Sequence, residues 1–275
     1  MAKTIHPTAI VDPAAELADG VSIGPNAIIG PGVVLGEGCE VGSGAQVQGP
    51  TILGRENRIF PQAAVGFEPQ DLKFAGEQTR LEIGDRNQFR EFSTMHRGTG
   101  KGGGLTTIGS DNLFMVYSHV AHDCSVGSRT VFANSATLAG HVEVEDDVTI
   151  SAFSAVHQFC RVGCHAYIGG YSVITKDALP YVKTVGQKPR CYGVNSIGLE
   201  RKGVSKEEVA AIRAAMRLLM DSGLNTTQAL ERLEGEMAGT PHVDHLISFL
   251  KSSQRGVIKA RPGRGRGARG GRSEE

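Results

Sequence analysis

The sequence contains no tryptophan, and only 5% of its 275 residues are aromatic. It has no apolar run near the ~18 residues that a membrane-spanning helix needs, so we expect no stable membrane insertion. The N-terminal segment MAKTIHPTAIVDP lacks the apolar core of a secretory signal, which favours a cytoplasmic protein. Basic and acidic residues number 29 each. The basic excess typical of a nucleic-acid-binding protein is therefore missing, and we expect no nucleic-acid partner.

The cysteines lack the even number and the spacing of a disulfide framework. Reduced thiols in a reducing compartment are the expected state of all five. Glycine, in contrast, is abundant at 37 residues, although no Gly-x-y period supports a collagen helix. The steady supply of Val, Ile and Leu excludes a wholly disordered chain.

A six-residue apolar repeat runs through most of the chain. Every sixth residue from Ile5 to Val65 is Ile, Val or Leu, and every sixth residue from Ile108 to Ile174 is apolar. A period of six fits neither a helix nor a single long strand, but it fits short strands wound around a triangular prism. Three sides make a coil of about 18 residues, with coils about 4.8 Å apart. The pattern predicts a mainly β protein, a hexapeptide-repeat parallel β-helix over residues 1–190.

Two smaller features accompany the repeat. Small residues recur two positions before the apolar one and are expected inside the prism, and Gly often follows it, where we expect a backbone conformation that a Cβ would oppose. Segments 67–80 and 96–107 interrupt the repeat, and we expect both to leave the prism as loops. The first keeps the phase and the second shifts it. Long loops on a regular scaffold are often functional, although Gly102–Gly104 is equally consistent with a flexible tip.

The pattern becomes helical after residue 190. Ser205 and Glu208 form a capping box before a 3.6-residue apolar stripe, and Gly223 suits the end of this helix. Further helices are expected from Asn225 and from Thr240–Pro241. We predict a C-terminal helical domain over 191–258 that caps the prism, and a disordered Arg/Gly tail over 259–275.

The coil period brings distant histidines together. Residues 18 apart share a column on adjacent coils, so His122, Gly140 and Gln158 should stack within about 10 Å. His141 and His157 adjoin this column and His119 lies near it. A histidine near neutral pH is the usual general base, and a neighbouring glycine N–H can stabilise an oxyanion. The alternatives are independent surface histidines or a zinc site of stacked imidazoles.

Other residues carry weaker signals. Asp71 and Lys73 are the charged candidates for ligand contact in the first loop, with a solvated loop tip as the alternative. A second zinc pattern comprises His157, Cys160, Cys164 and His165, but Cys160 occupies a small interior position, which favours a structural role. A polar prism face rarely closes a pocket alone, so three prisms around a threefold axis are expected to form clefts between subunits.

The segments QDLKFAGEQTR, HVAHDC, LAGHV, AVHQF and GVNSIGLERKG resemble the UDP-N-acetylglucosamine O-acyltransferases, and the resemblance extends to about residue 258. It implies a left-handed β-helix, a cytoplasmic homotrimer, and transfer of a (3R)-3-hydroxyacyl group from acyl carrier protein to the 3-hydroxyl of UDP-N-acetylglucosamine. This is the first step of lipid A biosynthesis. It requires no cofactor and no metal, because the sugar attacks the thioester directly.

The resemblance also implies roles for individual residues. His122 matches the general base, Asp123 its carboxylate partner and Gly140 the oxyanion donor, while Gly170 matches the acyl-length ruler. The substrate-contacting positions are matched by Asp71, Lys73, His119, His141, His157, Gln158, Asn195 and Arg201. Ile197 and Lys202 depart from the family pattern, in which an acidic residue and an arginine are expected. We therefore expect nucleotide contacts that differ in detail, since Lys lacks the bidentate fork of Arg.

Three alternatives remain open from the sequence. The same fold could acylate a 3-amino UDP-sugar, it could bind zinc through its histidines and act as a hydratase, or it could be a non-catalytic scaffold.

Overall fold

Short parallel strands form most of the chain, as the six-residue repeat predicts. The computed structural model describes residues 2–221 and 224–259. The first fourteen strands are β1 (Thr4–Ile5), β2 (Ile10–Val11), β3 (Glu16–Leu17), β4 (Ser22–Ile23), β5 (Ile28–Ile29), β6 (Val33–Leu35), β7 (Glu40–Val41), β8 (Gln46–Val47), β9 (Thr51–Leu53), β10 (Arg58–Ile59), β11 (Ala64–Phe67), β12 (Arg80–Ile83), β13 (Gln88–Phe89) and β14 (Thr94–His96). The others are β15 (Leu105–Ile108), β16 (Leu113–Phe114), β17 (His119–Val120), β18 (Ser125–Val126), β19 (Val131–Phe132), β20 (Thr137–Leu138), β21 (Glu143–Val144), β22 (Thr149–Ile150), β23 (Ala155–Val156), β24 (Arg161–Val162), β25 (Tyr167–Ile168), β26 (Val173–Ile174), β27 (Val182–Val185) and β28 (Arg190–Val194).

These strands form the three faces of a prism. The first sheet has eleven strands in the order β1-β4-β7-β10-β13-β16-β19-β22-β25-β27-β28, the second runs from β2 to β26 with nine, and the third from β3 to β24 with eight. All of their pairings are parallel except that of β27 with β28. The predicted β-helix fold class is confirmed.

The register gives the size of a coil. Thr4 pairs with Ser22, and Val131 pairs with Thr149, a spacing of 18 residues. The two predicted interruptions lengthen single coils. Arg58 pairs with Gln88, 30 positions later, and Thr94 with His119, 25 positions later. The first insertion of twelve residues equals two hexads and keeps the phase, whereas the second of seven shifts it by one.

The repeated apolar residues fill the axis of the prism. The rings of Phe89, Phe114 and Phe132 stack along it at centroid separations of 5.2 and 4.8 Å. The small side chains two positions earlier are also buried, as with Ser118 and Cys124. Burial of this continuous apolar column offsets the ordering of many two-residue strands.

The expected reason for the recurring glycines was wrong. The glycines after the apolar residues, apart from Gly66 (φ 80°), do not adopt a left-handed conformation. They are needed because adjacent coils approach closely. A Cβ on Gly36 would lie 2.5 Å from the backbone of Gly54. The left-handed residue lies three positions before most of the apolar residues, and many side chains other than glycine occupy it. Asp123 (φ 58°) and His141 (φ 61°) are two of these corner residues.

Four α-helices follow the strands: α1 (Ser196–Arg201), α2 (Lys206–Asp221), α3 (Thr226–Met237) and α4 (Pro241–Ser252). Ser205 and Glu208 form the predicted capping box, Asn225 caps α3, and Pro241 begins α4. A separate apolar core joins α2–α4 to residues 179–182 at the end of the prism. The helices therefore cap the prism as predicted, and no helix among the described residues is long and apolar enough to cross a membrane.

The transition between the two parts is less sharp than the pattern indicates. Strand β28 still pairs with β27 beyond residue 190, and the short helix α1 precedes the predicted capping box. The predicted helix end at Gly223 and the Arg/Gly tail beyond Lys259 lie outside the described residues. The domain boundaries at 190 and 258 therefore stay predictions.

Candidate active site

The turns between the second and third sheets carry the predicted histidine column. Hydrogen bonds from His141 N to His122 O (3.0 Å) and from Phe159 N to Gly140 O (3.3 Å) hold three successive turns in register. We call this ridge, made of residues 122–123, 140–141 and 158–159, the histidine edge. Coil arithmetic therefore predicted correctly that His122, Gly140 and Gln158 share one column.

His122 and Asp123 form the central pair of the histidine edge. The Nδ1 atom of His122 lies 2.7 Å from Oδ2 of Asp123, whose side chain is only 1% exposed. A carboxylate at Nδ1 favours the tautomer in which Nδ1 carries the proton and Nε2 is free to accept another. Because the His122 ring remains 14% exposed, its Nε2 atom can serve as a base toward a bound molecule.

The second loop holds this carboxylate in place. The backbone N–H and the hydroxyl of Thr99 donate hydrogen bonds of 2.8 and 2.7 Å to the two oxygens of Asp123. The Asp123 N–H donates to the hydroxyl of the buried Thr106. A Cβ on Gly102 would lie 2.1 Å from the Asp123 carboxyl carbon. The segment Gly100–Gly102, a 3₁₀ turn, is therefore packed against the site, whereas a Cβ on Gly103 would have no neighbour within 4 Å.

Replacement of Thr99 by Val tests this support. Loss of one hydrogen bond to a buried carboxylate is expected to raise the activation free energy by roughly 1.4 kcal/mol. This lowers kcat about tenfold, with little change in KM. Thr99→Ser keeps the hydroxyl and should restore most of the rate. Steady-state kinetics of both variants make the comparison; equal kcat values for Val and Ser would contradict a role for the hydroxyl.

Gly140 lies directly over the His122 ring. A Cβ at this position would come within 2.5 Å of the ring Cε1 atom and 2.8 Å of Nε2. Among the hydrogen bonds of residues 2–221 and 224–259, the Gly140 N–H donates none. An unused backbone donor on the residue that packs against the basic ring is a candidate for stabilising an oxyanion.

His141 completes the central cluster, whereas His157 lies apart from it. His141 Nε2 is 3.6 Å from Asp123 Oδ2, and its ring stacks on Phe159 at 4.5 Å. His157 and Gln158 are exposed, and His157 Nδ1 lies 3.1 Å from the Gln158 carbonyl oxygen. The structure thus places both at the open end of the column without a contact to His122.

His119 sits on the second sheet beside the histidine edge. Its Nδ1 atom lies 2.7 Å from Thr94 Oγ1, and its ring meets His96 at 5.1 Å. Burial lowers the pKa of His119 to about 4, helped by the nearby charges of His96 and His122. His119 is therefore neutral near pH 7 and acts as a hydrogen-bonding group.

This shift predicts a loss of stability in acid. Above pH 6.5 the His119 ring is neutral in both the folded and the unfolded chain. Between pH 6.5 and 4 only the unfolded chain takes up the proton, so the free energy of unfolding falls as pH falls. We expect His119 to account for about 2 kcal/mol of this fall, allowing for partial exposure of the ring.

The measurement is denaturant unfolding at pH 7.5 and 4.5, with His119→Asn beside the unmodified protein. Asn keeps a polar group opposite Thr94 but does not titrate. The variant should lose less stability on acidification; identical losses would contradict the prediction.

The remaining predicted residues lie on other parts of the prism. Asn195 donates to the carbonyl of His165 on the edge between the third and first sheets, and Arg201, at the end of the adjacent α1, is exposed. Gly170 is exposed on the edge between the first and second sheets. One chain therefore does not bring these residues together with His122.

The two departures from the family pattern lie near Asn195. Lys202 Nζ forms an ion pair of 2.8 Å with Asp147 Oδ1, and Ile197 is 65% exposed. Lys202 is thus engaged within its own chain.

Asp71 and Lys73 lie in the first loop, between β11 and β12. The Lys73 N–H donates to Asp71 Oδ1 at 2.9 Å, and the Lys73 side chain is exposed. This loop touches the second one, because a Cβ on Gly100 would lie 3.1 Å from Glu77. The two loops thus link Asp71 and Lys73 to the segment that holds Asp123. In the described part of the chain, neither Asp71 nor Lys73 contacts His122 directly.

Potential metal ligands occur at two places in the described part of the chain. Ligand atoms of His122, Asp123 and His141 lie within 4.8 Å of one another, as do those of Glu145, Cys164 and His245. The zinc pattern considered for His157, Cys160, Cys164 and His165 is not brought together among the described residues. Cys160 is fully buried in the prism, and His165 faces Asp147 at 4.0 Å. The structural interpretation of Cys160 agrees with this burial.

Several site residues have no obvious sequence signal. Thr99 and Thr106 lie in the segment 96–107 that interrupts the repeat. Because this segment breaks the 18-residue spacing, their contact with Asp123 cannot be inferred from sequence positions. Phe159 could have been found, because it lies 18 residues after His141 in the same column. The site thus depends on contacts that only the folded loops reveal.

Comparison with known proteins identifies the family. Residues 177–258 match the model "Udp N-acetylglucosamine O-acyltransferase; Domain 2", and residues 3–37 match the bacterial transferase hexapeptide repeats. The acyl-[acyl-carrier-protein]–UDP-N-acetylglucosamine O-acyltransferase of Stenotrophomonas maltophilia is 50% identical, covering 94% of this chain and 98% of its own. The enzyme of the same name from Myxococcus xanthus is 50% identical over 93% of this chain and 99% of its own.

Solved structures agree with this assignment. The LpxA structure from Acinetobacter baumannii superimposes with a TM-score of 0.90 at 44% identity, covering 92% of this chain and 99% of its own. The UDP-N-acetylglucosamine acyltransferase of Francisella novicida gives 0.91 at 35% identity, covering 93% and 94%. Identity at this level over nearly the whole chain shows that the protein is an acyltransferase and belongs to the UDP-N-acetylglucosamine O-acyltransferase family.

Proposed function

We propose that this enzyme transfers a (3R)-3-hydroxyacyl group from acyl carrier protein to the 3-hydroxyl of UDP-N-acetylglucosamine, the first step of lipid A biosynthesis. The observation that carries the proposal is the pairing of His122 with the buried Asp123, with Gly140 packed against the His122 ring. This arrangement supplies a base and an oxyanion donor, and these are the two groups that acyl transfer to an alcohol requires.

The proposed reaction is a direct attack. His122 Nε2 takes the proton of the sugar hydroxyl while its oxygen attacks the thioester carbonyl. The Gly140 N–H stabilises the negative charge on that carbonyl oxygen. Collapse of the intermediate forms the ester and expels the thiolate of the carrier, which takes the proton back from His122. Asp123 stabilises the imidazolium during these steps.

The nearest thiol does not suit a covalent mechanism. Cys124 follows Asp123 in sequence, but it is 1% exposed inside the prism, and burial raises the pKa of its thiol to about 12. A neutral, inaccessible thiol is a poor nucleophile. This favours attack by the sugar itself, with no acyl-enzyme.

The placement of the other predicted residues favours a homotrimer. His122 lies on one edge of the prism, Asn195 on a second and Gly170 on a third, so residues from one edge must meet those of another edge on a neighbouring copy to form one cleft. Three copies around a threefold axis would provide three equivalent clefts. In such a cleft His119, His141, His157 and Gln158 would line the sugar and acyl donor, and Asn195 and Arg201 the nucleotide.

Two further features fit the proposed substrates and compartment. Arg213 and Arg217, both exposed on α2, border a cavity of about 670 Å³, and exposed basic residues suit an acidic carrier protein. None of the five cysteines, all in the described part of the chain, forms a disulfide, which fits a cytoplasmic enzyme.

Gly170 leaves room for a long acyl chain without requiring one.

The test is an assay of purified enzyme with a mixed pool of 3-hydroxyacyl carrier proteins and each of two acceptors, UDP-N-acetylglucosamine and its 3-amino analogue. Mass spectrometry of the products gives both the acceptor and the acyl length. We expect an ester with the hydroxyl acceptor. Product from the amino sugar alone would favour the N-acyltransferase alternative.

A second arm addresses zinc chemistry, because His122, Asp123 and His141 hold three possible ligand atoms close together. Acyl transfer should persist after dialysis against a strong zinc chelator. Chelator-sensitive turnover restored by zinc would favour a metal-dependent reaction instead.

A further inference from the structure

A second cluster of reactive side chains lies where the helical cap meets the prism. Glu145 and Cys164 come from adjacent coils of the β-helix, and His245 comes from α4, 100 residues after Glu145. Their potential ligand atoms, a carboxylate oxygen, a thiol sulfur and an imidazole nitrogen, all lie within 4.8 Å of one another. The acyl-transfer chemistry uses none of the three.

The contacts already aim these groups at one point. His245 Nε2 is 2.8 Å from Glu145 Oε2, and the same oxygen accepts a hydrogen bond of 2.7 Å from the Cys164 N–H. The three side chains are each half-buried, and the His245 side chain is 38% exposed. A ligand bound between them would therefore keep one open side toward solvent.

Neighbouring residues support the cluster from behind. Arg161 Nη2 lies 3.6 Å from the other carboxylate oxygen, Oε1, and so leaves Oε2 facing Cys164 and His245. The Tyr181 ring, which is 1% exposed, lies beside the His245 ring at a centroid separation of 6.1 Å. Residues that contact the metal ligands without binding the metal orient those ligands and strengthen metal binding.

We propose that Glu145, Cys164 and His245 form a zinc site that joins α4 to the β-helix, with a water molecule as the fourth ligand. Sulfur, imidazole nitrogen and carboxylate oxygen are the donors that Zn²⁺ prefers. Bonds of about 2.0–2.3 Å in a tetrahedron place ligand atoms roughly 3.5 Å apart. The observed separations reach this geometry with side-chain movements of about an ångström.

Zinc binding at this point is coupled to the release of protons. His245 Nε2 and Glu145 Oε2 lie 2.8 Å apart, a hydrogen-bonding distance, so a proton lies between them. Zinc binding must displace this proton and the proton of Cys164, so binding releases protons to solvent. Zinc would replace these protons and add a bond to the Cys164 sulfur.

Cobalt substitution tests the site in the intact protein without any mutation. Purified full-length enzyme, stripped with a chelator and titrated with Co²⁺, should develop near-ultraviolet absorption from a sulfur-to-cobalt bond and visible bands of a tetrahedral ion. Both should saturate at one ion per chain and disappear on addition of one equivalent of Zn²⁺. A spectrum without the sulfur band overturns the proposal.

Variants locate the ion. Cys164→Ala and His245→Gln should each weaken zinc affinity at least 100-fold in competition with a chromophoric chelator, and Cys164→Ala should abolish the sulfur band. His242→Gln, on the same helix, is the matched control and should bind zinc as tightly as the unmodified protein. Undiminished affinity in Cys164→Ala contradicts the assignment, as does loss of zinc in His122→Ala. Since Cys164→Ala should retain acyl transfer, failure of this site and failure of the proposed function are distinguishable.

Discussion

His122→Ala is expected to reduce kcat by about 10³-fold, the range that loss of a positioned general base produces. The substitution leaves the buried carboxylate of Asp123 with its two hydrogen bonds from Thr99, so the fold of the edge should survive. The KM for the sugar should change far less than kcat, because the base acts mainly in the transition state. Steady-state kinetics with acyl carrier protein as donor measure both quantities.

His157→Ala is the matched control for this variant. It removes an exposed imidazole that lies in the same column and has no contact with His122. It should alter KM more than kcat. Size-exclusion chromatography should show the same oligomer for both variants. Turnover near normal in His122→Ala would refute the assignment of the base.

Gly140→Ala is expected to lower kcat by about 10²-fold while leaving the protein folded. The new methyl group would lie 2.5 Å from His122 Cε1, so the ring must move away from its place beside Asp123. A displacement of about 1 Å at the reacting group costs a factor of this order. The backbone at Gly140 is not left-handed, so alanine introduces no strain in the chain itself. Steady-state kinetics measure the loss of kcat, and thermal unfolding shows whether the variant is also less stable.

Gly235→Ala provides the control for the glycine experiment. Gly235 lies on α3 with open space around its Cα. Alanine there should leave kcat unchanged and raise stability slightly, since alanine favours helix. An unaltered kcat in Gly140→Ala would show that the His122 ring has room elsewhere.

The fold was predictable because its signal is one-dimensional. In a regular coil each apolar residue contacts its equivalents 18 positions away, so a period in sequence becomes a column in space, as for Phe132 and Ile150. The same arithmetic correctly placed Gly140 over His122. Helix starts were predictable from side chains that cap locally, such as Asn225 with Gln228.

The rest depends on contacts that have no period. Thr99 reaches Asp123 from an irregular segment whose path is set by its own turn and glycines. The reason for the glycines after the apolar residues was misinterpreted, because two different causes favour glycine: a close approach of neighbouring backbones and a left-handed backbone conformation. Glu145, Cys164 and His245 come from two separate parts of the fold, and no repeat links α4 to a coil.

The backbone bonds that join His122 to His141 and Gly140 to Phe159 make the ridge a ladder with a fixed rung height of about 4.8 Å. Groups on it can be repositioned along the axis only in whole rungs. Deletion of 18 residues would shorten the ladder and leave its inside intact, whereas deletion of a single residue within a regular coil would put the following side chains out of phase, unless a loop absorbed the shift as the seven-residue insertion does. Evolution of cleft length in this architecture therefore proceeds in discrete steps.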